Sequence, residues 1–264
     1  GCTFPSIPNV PDHPDLRTGA VYGTGKREEN LRGYFAAISA MDEQIGRLLD
    51  AVEEQGLADN TVILFTADNG MSMGQHGVWG KGNGTFPMNM YDSAVKVPFL
   101  ISWPGHIPAN TVCSEMISAC DLLPTILELT GLSDRQPAGL PGRSFTELLK
   151  GEQREHRDEV VIFDEYGPVR MIRTKEWKYV HRYPYGKHEL YHLVDDPGEE
   201  KNLYGLPEYK KLVTQLKGRM EKWFCTYSDP AIDGVRSAVN GSGQLCRPGV
   251  YAIYEDPFSP NGVE

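Results

Sequence analysis

The chain has 264 residues, 40% hydrophobic and 23% charged, enough for one substantial core or one core plus a small satellite domain. A formal net charge of −10 leaves no basic field to neutralise phosphates, which argues against non-specific nucleic-acid binding and adhesion to anionic membranes. No apolar run approaches a membrane span, and no stretch joins a basic n-region to an apolar h-region as a signal peptide does.

Thr3 to Lys26 is rich in Pro and Gly and reads as an extended surface segment, with His13 a loop histidine between Asp12 and Pro14. Leu31, Tyr34, Phe35, Ile38, Met41, Ile45, Leu48, Leu49 and Val52 recur at three and four residues, predicting an amphipathic helix that ends at Gly56. That helix should cover the sheet beside the strand that follows, as in α/β units, leaving Asp42 and Glu43 as solvated charges.

Thr61 to Thr66 is a compact β-branched and aromatic run and reads as a buried strand. It stops at Asp68-Asn69-Gly70, placing two oxygen-bearing side chains at the C-terminal edge of a strand, where open α/β sheets put ligands. A glycine-rich segment follows, carrying His76, Trp79 and then Lys81 between Gly80 and Gly82. An Asp carboxylate and an Asn carbonyl are hard ligands suited to Ca²⁺ or Mg²⁺. A lysine between glycines can approach a tetrahedral oxyanion as a point charge, with a metal holding its other side. The tripeptide is also an ordinary turn signal, because Asn and Gly tolerate positive φ.

Val95 to Trp103 predicts a second strand of the sheet, with Pro98 at its entry. Asp121 precedes a short helix over Leu122 to Thr130, with Pro124 in its first turn and Gly131 past its end, and reads as the N-cap rather than a ligand. Ser133 to Gly142 is a loop leading to a second unit. From Val160 the pattern changes to four short β-rich runs, VVIFDEY, VRMIRT, WKYVHRY and HELYHLV, which predict an antiparallel sheet. Pro207 to Phe224 is an amphipathic helix with Leu212, Leu216, Met220 and Trp223 or Phe224 on one face. His181, His188 and His192 share no ligand spacing and read as strand-face residues. The tail from Thr226 to Glu264, with anchors at Tyr251, Tyr254 and Phe258, should wrap the surface.

None of the five cysteines forms a C-x-x-C or zinc spacing. Cys113 and Cys120 lie among apolar residues and read as buried thiols, while Cys225 and Cys246 could bridge the tail.

ADNGMSMGQHGVWGKG followed by MYDSAVKVPFLISWPG resembles a block of the type I sulfatases, in the alkaline phosphatase superfamily. The resemblance continues through SACDLLPTILELTGL, MIRTKEWKYVHRY and ELYHLVDDPGEEKNL, from about Asn30 to Leu203. It implies a partial alkaline-phosphatase-like α/β sheet flanked by helices over residues 1–150, a small α+β domain over 151–225, and a tail over 226–264. It further implies Asp68 and Asn69 as ligands of a divalent cation, usually Ca²⁺, and Lys81 as the sulfate contact, with His76 and Trp79 lining the substrate pocket. The family's nucleophile is a formylglycine made within a C/S-x-P-x-R motif, and no such motif occurs here; in Cys2-Thr3-Phe4-Pro5-Ser6 the proline is one place late and no arginine follows. The family's early aspartate pair, its middle His and Lys, and the histidine of its Pro-His-x-Pro segment also have no match.

The expected parent activity is therefore sulfate-ester hydrolysis on a sulfated sugar or aryl sulfate. The chain resembles the C-terminal part of such an enzyme, its partner being the missing N-terminal portion, and should be inactive alone. A phosphodiesterase or phosphonate hydrolase of the same superfamily is the nearest alternative, and a non-catalytic binding module is another.

Overall fold

The computed structural model describes residues 17–18, 27–152, 155–164, 167–183, 186–231, 233–236, 239–240 and 243–244. The three-and-four periodicity of the first half becomes helix α1 (Arg27–Glu54), with Glu28 and Glu29 facing its positive N-terminal dipole. Gly56 takes φ +65° just past its end, the left-handed turn that a glycine C-cap supplies.

The apolar stripe of α1 does not cover a sheet, contrary to expectation. Leu31 is buried, but Ile38, Met41 and Leu49 are exposed and Leu48 is 67% exposed. The strand predicted beside it, β2 (Ile63–Thr66), pairs antiparallel with β6 (Phe99–Ser102) as a two-stranded sheet. A lone pair of four-residue strands presents too little area to bury a 28-residue helix. For the same reason Ile63, Leu64 and Phe65 are only half-buried, correcting the buried-strand reading.

Between these strands the chain makes short pieces, one of which pairs with a strand that precedes α1. Strand β1 (Arg17–Thr18) pairs with β5 (Thr85–Phe86), and β3 (Ser72–Met73) pairs with β4 (Trp79–Gly80). Helix α2 (Asp92–Val95) leads into β6. Beyond β6, α3 (Leu122–Leu129) begins one residue after Asp121, as predicted, but the Asp121 side chain makes no cap bond to α3. It reaches back to Ser118 N–H in a capping box and accepts from Arg143 N–H and the Arg157 guanidinium, so the N-cap reading becomes that of a buried anion anchor. Helix α4 (Thr146–Leu149) follows. Cys113 and Cys120 are exposed, against the reading of buried thiols, because the stretch that carries them lies on the surface.

The second unit matches its sequence pattern closely. Strands β7 (Val160–Phe163), β8 (Val169–Arg173), β9 (Trp177–Arg182) and β10 (Glu189–His192) form one antiparallel meander in the order β10-β9-β8-β7. One face carries Val161, Ile172, Tyr179 and Leu190 against Leu216, Met220 and Phe224 of helix α5 (Lys210–Tyr227). The other carries Val169, Met171 and Val180 against Met88 and Met90, from the segment just before α2. Arg170 is stacked over the Phe224 ring, its guanidinium carbon 3.6 Å from the centroid. Both faces are thus covered, one by the unit's own helix and the other by the first half of the chain.

The three histidines occupy the positions expected of strand-face residues. His181 and His188 stack at 4.0 Å, with Tyr179 Oη 2.7 Å from His181 Nδ1, and His192 bonds Asp195 at the rim. A short hairpin, β11 (Val239–Asn240) with β12 (Gly243–Gln244), lies in the tail. Cys225 is an exposed free thiol of α5, and Cys246, Tyr251, Tyr254 and Phe258 lie outside the described residues.

Candidate active site

The peptide after β2 leaves the sheet edge through Asp68 and Asn69. Asn69 N–H donates to Asp68 Oδ1 at 2.9 Å, and the Asn69 amide donates to Gly70 O at 2.9 Å, fixing both side chains relative to the backbone. Gly70 N–H bonds Ala94 O at 2.8 Å, and a Cβ at Gly70 would lie 2.1 Å from Ser93 O. Only glycine lets the two backbones come this close. Ser72 and Ser93 close the same contact with a 2.8 Å hydroxyl bond.

The glycine-rich segment then folds back as the β3–β4 ladder. Its turn contains Gly74 at φ +103° and His76 at φ +55°, the latter a left-handed conformation uncommon for a residue with a side chain. The His76 ring stacks on Tyr91, 3.7 Å between centroids and 3° from parallel. Tyr91 is buried and its hydroxyl is pushed well above the ordinary tyrosine range, first by burial and then by the Glu189 carboxylate. Trp79 sits half-buried on β4. A Cβ on Gly84 would be 2.9 Å from Trp79 O, so this glycine too marks a close backbone approach.

Lys81 leaves β4 and precedes the tight turn Gly82–Gly84, and its ammonium donates to Asn69 Oδ1 at 3.1 Å. The structure therefore brings Lys81 to Asn69, next to Asp68 in the chain, with Asp68 exposed and the other two half-buried. His76 is held beside them in sequence but is committed to the Tyr91 stack.

Sequence reasoning missed the residues that support this point. Asn89 is fully buried and donates from Nδ2 to Lys81 O at 3.1 Å, Gly82 O at 3.1 Å and Thr85 Oγ1 at 3.2 Å. On either side of it, Arg182 Nη2 bonds Met88 O at 3.0 Å and Lys178 Nζ bonds Met90 O at 3.0 Å. Asp92 receives Lys178 at 2.5 Å and Arg173 at 3.2 Å, while Glu199 pairs with Lys178 and accepts from Asp92 N–H at 2.6 Å. Burial pushes the Asp92 carboxyl up, but Lys178 and Arg173 outweigh it and hold it below the usual carboxylate range. Glu199, more deeply buried, is raised in spite of Lys178. The missed signal lies in the alternation of WKYVHR: Lys178 and Arg182 share a strand face with Val180, and cations on a buried face need buried partners.

The fit to a divalent cation rests on donor chemistry. Asp68 and Asn69 present adjacent hard oxygens, and an amide oxygen has lone pairs for both Lys81 and a metal. Among the described residues no group of three or more His, Cys, Asp or Glu gathers, so Asp68 and Asn69 would supply only part of the roughly six to eight oxygens Ca²⁺ takes.

Residues 6–132 match the sulfatase family, and residues 74–225 match the family described as N-sulphoglucosamine sulphohydrolase, C-terminal. The N-acetylglucosamine-6-O-sulfatase of Bacteroides thetaiotaomicron is 31% identical over an alignment of 219 residues that covers 77% of this chain and 37% of that protein. A solved structure described as a complex with its substrate D-glucosamine-2-N,6-O-disulfate superposes with a TM-score of 0.68 at 30% identity, covering 78% of this chain and 44% of that one. The phosphonate monoester hydrolase of Agrobacterium radiobacter superposes with a TM-score of 0.63 at 26% identity, covering 82% of this chain and 45% of that one. The chain thus spans less than half the length of each of these three proteins.

Proposed function

Because the chain belongs to the sulfatase family, we propose that it supplies part of the active site of a sulfuric ester hydrolase acting on a sulfated sugar or aryl sulfate. The observation that carries this reading is the junction of Asp68, Asn69 and Lys81 at a strand edge, with Lys81 Nζ 3.1 Å from Asn69 Oδ1. Asp68 and Asn69 would hold Ca²⁺, or Mg²⁺ in its place. Such an ion, when bound, polarises sulfate oxygens as a Lewis acid. Lys81 would bring a positive charge to the same sulfate and stabilise charge as it grows on the sulfate or the leaving oxygen. Its glycine neighbours keep bulk away from the tetrahedral group. Trp79 and His76 would form the pocket wall, with His76 held by the Tyr91 stack.

These 264 residues contain no C/S-x-P-x-R motif, so a formylglycine nucleophile is not among them and the purified chain should show no sulfatase turnover. Hydrolysis of an aryl sulfate by the purified chain alone would overturn that part. The metal reading is tested by titrating Ca²⁺ against melting temperature in the wild type and in Asp68→Asn. Stabilisation in the wild type that disappears in the variant supports the ligand assignment; equal stabilisation in both removes it.

The structural likeness to a phosphonate monoester hydrolase favours one second reading, in which the same Asp68, Asn69 and Lys81 hold a phosphorus oxyanion. Matched aryl sulfate and aryl phosphonate substrates, given to the polypeptide as its source cell makes it, separate the two by their kcat/KM ratio.

A further inference from the structure

We propose that Asn89 is a positioning residue for Lys81, and that Lys178 and Arg182 of β9 hold Asn89 in place, so that the C-terminal sheet sets the geometry of the anion site.

The argument starts from the extended segment 88–92, which lies between the sheet and the glycine-rich loop. Its carbonyls at Met88 and Met90 face the sheet, where Arg182 and Lys178 take one each at 3.0 Å. Its side chains at Asn89 and Tyr91 face the loop, where one holds the Lys81 and Gly82 carbonyls and the other stacks on His76. This division follows from the period of two in extended chain. The loop itself has little to hold it, since Lys81 is flanked by glycines and the turn Gly82–Gly84 carries a single bond, Gly84 N–H to Lys81 O at 2.9 Å. Asn89 adds two carbonyl contacts and its own N–H, which bonds Gly82 O at 3.1 Å.

The far end of the strut is rigid for an electrostatic reason. Lys178 and Arg182 are both fully buried, and each is neutralised there: Lys178 by Asp92 and Glu199, Arg182 by Glu189 at 2.7 Å. A buried cation cannot leave its partners without stranding a charge, so the carbonyls it grips are fixed with it. Asn89 Oδ1 is buried with no hydrogen-bond partner among the described residues, which fits a side chain that serves through its donors rather than its acceptor.

The inference rests on the reading of Lys81 as the oxyanion contact, and the experiment keeps the two apart. Asn89→Ala is made in the polypeptide as its source cell produces it, alone and together with Lys81→Ala. Two quantities are measured, aryl sulfate kinetics and amide hydrogen exchange at Gly84. The expected result is a kcat lower by roughly 100-fold, the scale of a 1 Å misplacement, with Gly84 exchange faster by at least about tenfold while Val180 and Leu190 keep their protection. In the Lys81→Ala background Asn89→Ala should cost nothing further, because it acts through the missing side chain. If Lys81→Ala leaves activity intact, the reading of Lys81 fails, but Gly84 exchange still tests the strut. If Lys81→Ala abolishes activity while Asn89→Ala changes neither kcat nor Gly84 exchange, the positioning role is overturned. Should Asn89→Ala not fold, the wild type decides: Gly84 and Asn89 amides must open with the sheet, at rates within about tenfold of Val180 once corrected for intrinsic exchange, and independent fast opening sinks the proposal.

Discussion

The sheet of β7 to β10 and the β2–β6 pair are built from strands of similar length, four to six residues, yet only the first has a core of its own. Ile172, Val180 and Leu190 are all fully buried, whereas no residue of β2 or β6 is and Leu100 of β6 is 60% exposed. The difference is one of coverage, not composition. In the small unit α5 closes one face and the 88–92 segment the other. In the first unit helix α1 leaves Ile38, Met41, Leu48 and Leu49 of its apolar stripe in solvent. Burial of apolar area is what holds a strand in place, at roughly 25 cal/mol per Å². The proposed anion site lies at the seam, with Asp68 and Asn69 on the open side and Asn89 on the closed one.

The most severe way to break this arrangement is to cut the charge network at the seam. Lys178→Met should destabilise the chain by about 3–5 kcal/mol, the cost of leaving one member of a buried pair uncompensated. Glu199, 3% exposed, would lose its cation, while Asp92 would retain Arg173. Urea unfolding at neutral pH reads the loss, which should shrink in mild acid as Glu199 takes a proton. A change under about 1 kcal/mol would mean that the network is not closed.

Next in size, Met220→Ala removes a fully buried side chain between α5 and the sheet and should cost about 2–5 kcal/mol. Leu100→Ala on β6, made in parallel, should fall within about 0.5 kcal/mol. Equal effects in the same urea series would erase the contrast between the two units.

The extent to which the sequence disclosed all this follows the same division. Where a segment finds its partners within the chain, pattern reading succeeds: the four β-rich runs map onto β7 to β10, and the apolar face of Pro207 to Phe224 is the face buried. Where partners are lacking, local structure is still legible but burial is not. The periodicity of Leu31 to Val52 gives α1, because helical propensity and repeat are local, but it cannot say whether anything covers the stripe. At the site, Asp68, Asn69 and Lys81 announce themselves through unusual neighbours in sequence. Asn89 does not, since its role depends on carbonyls seven and eight residues away and on cations 88 residues beyond Met90 and 94 beyond Met88.

The two stacked histidines give a milder probe of the closed side. Burial lowers His181 to about 3 and His188 to about 4, with neighbouring positive charge adding to both, against 6.5 for a free histidine. Both groups are therefore neutral in the folded sheet, and the unfolded chain binds the extra protons. Their stabilising effect is complete above pH 6.5 and is lost as pH falls toward about 4 and then about 3. Each contributes a slope of about 1.4 kcal/mol per pH unit inside its window. His188→Phe should remove one of the two slopes between pH 6 and 4.5, and an unchanged pH dependence in that variant would show that the stack is solvated.

The smallest expected effect tests the open side directly. Leu48 lies on the α1 stripe at 67% exposure, so replacing it by Gln removes little buried area and keeps a good helix former in place. The change in unfolding free energy should stay within about 0.5 kcal/mol, and the melting temperature should barely move. The same replacement at a covered stripe position would bury an unsatisfied amide and cost about 1–3 kcal/mol. A loss on that larger scale at Leu48 would therefore mean that something packs on α1 in the protein as it exists. The contrast between a closed sheet and an open one would then belong to the 264 residues alone, not to the assembly in which they act.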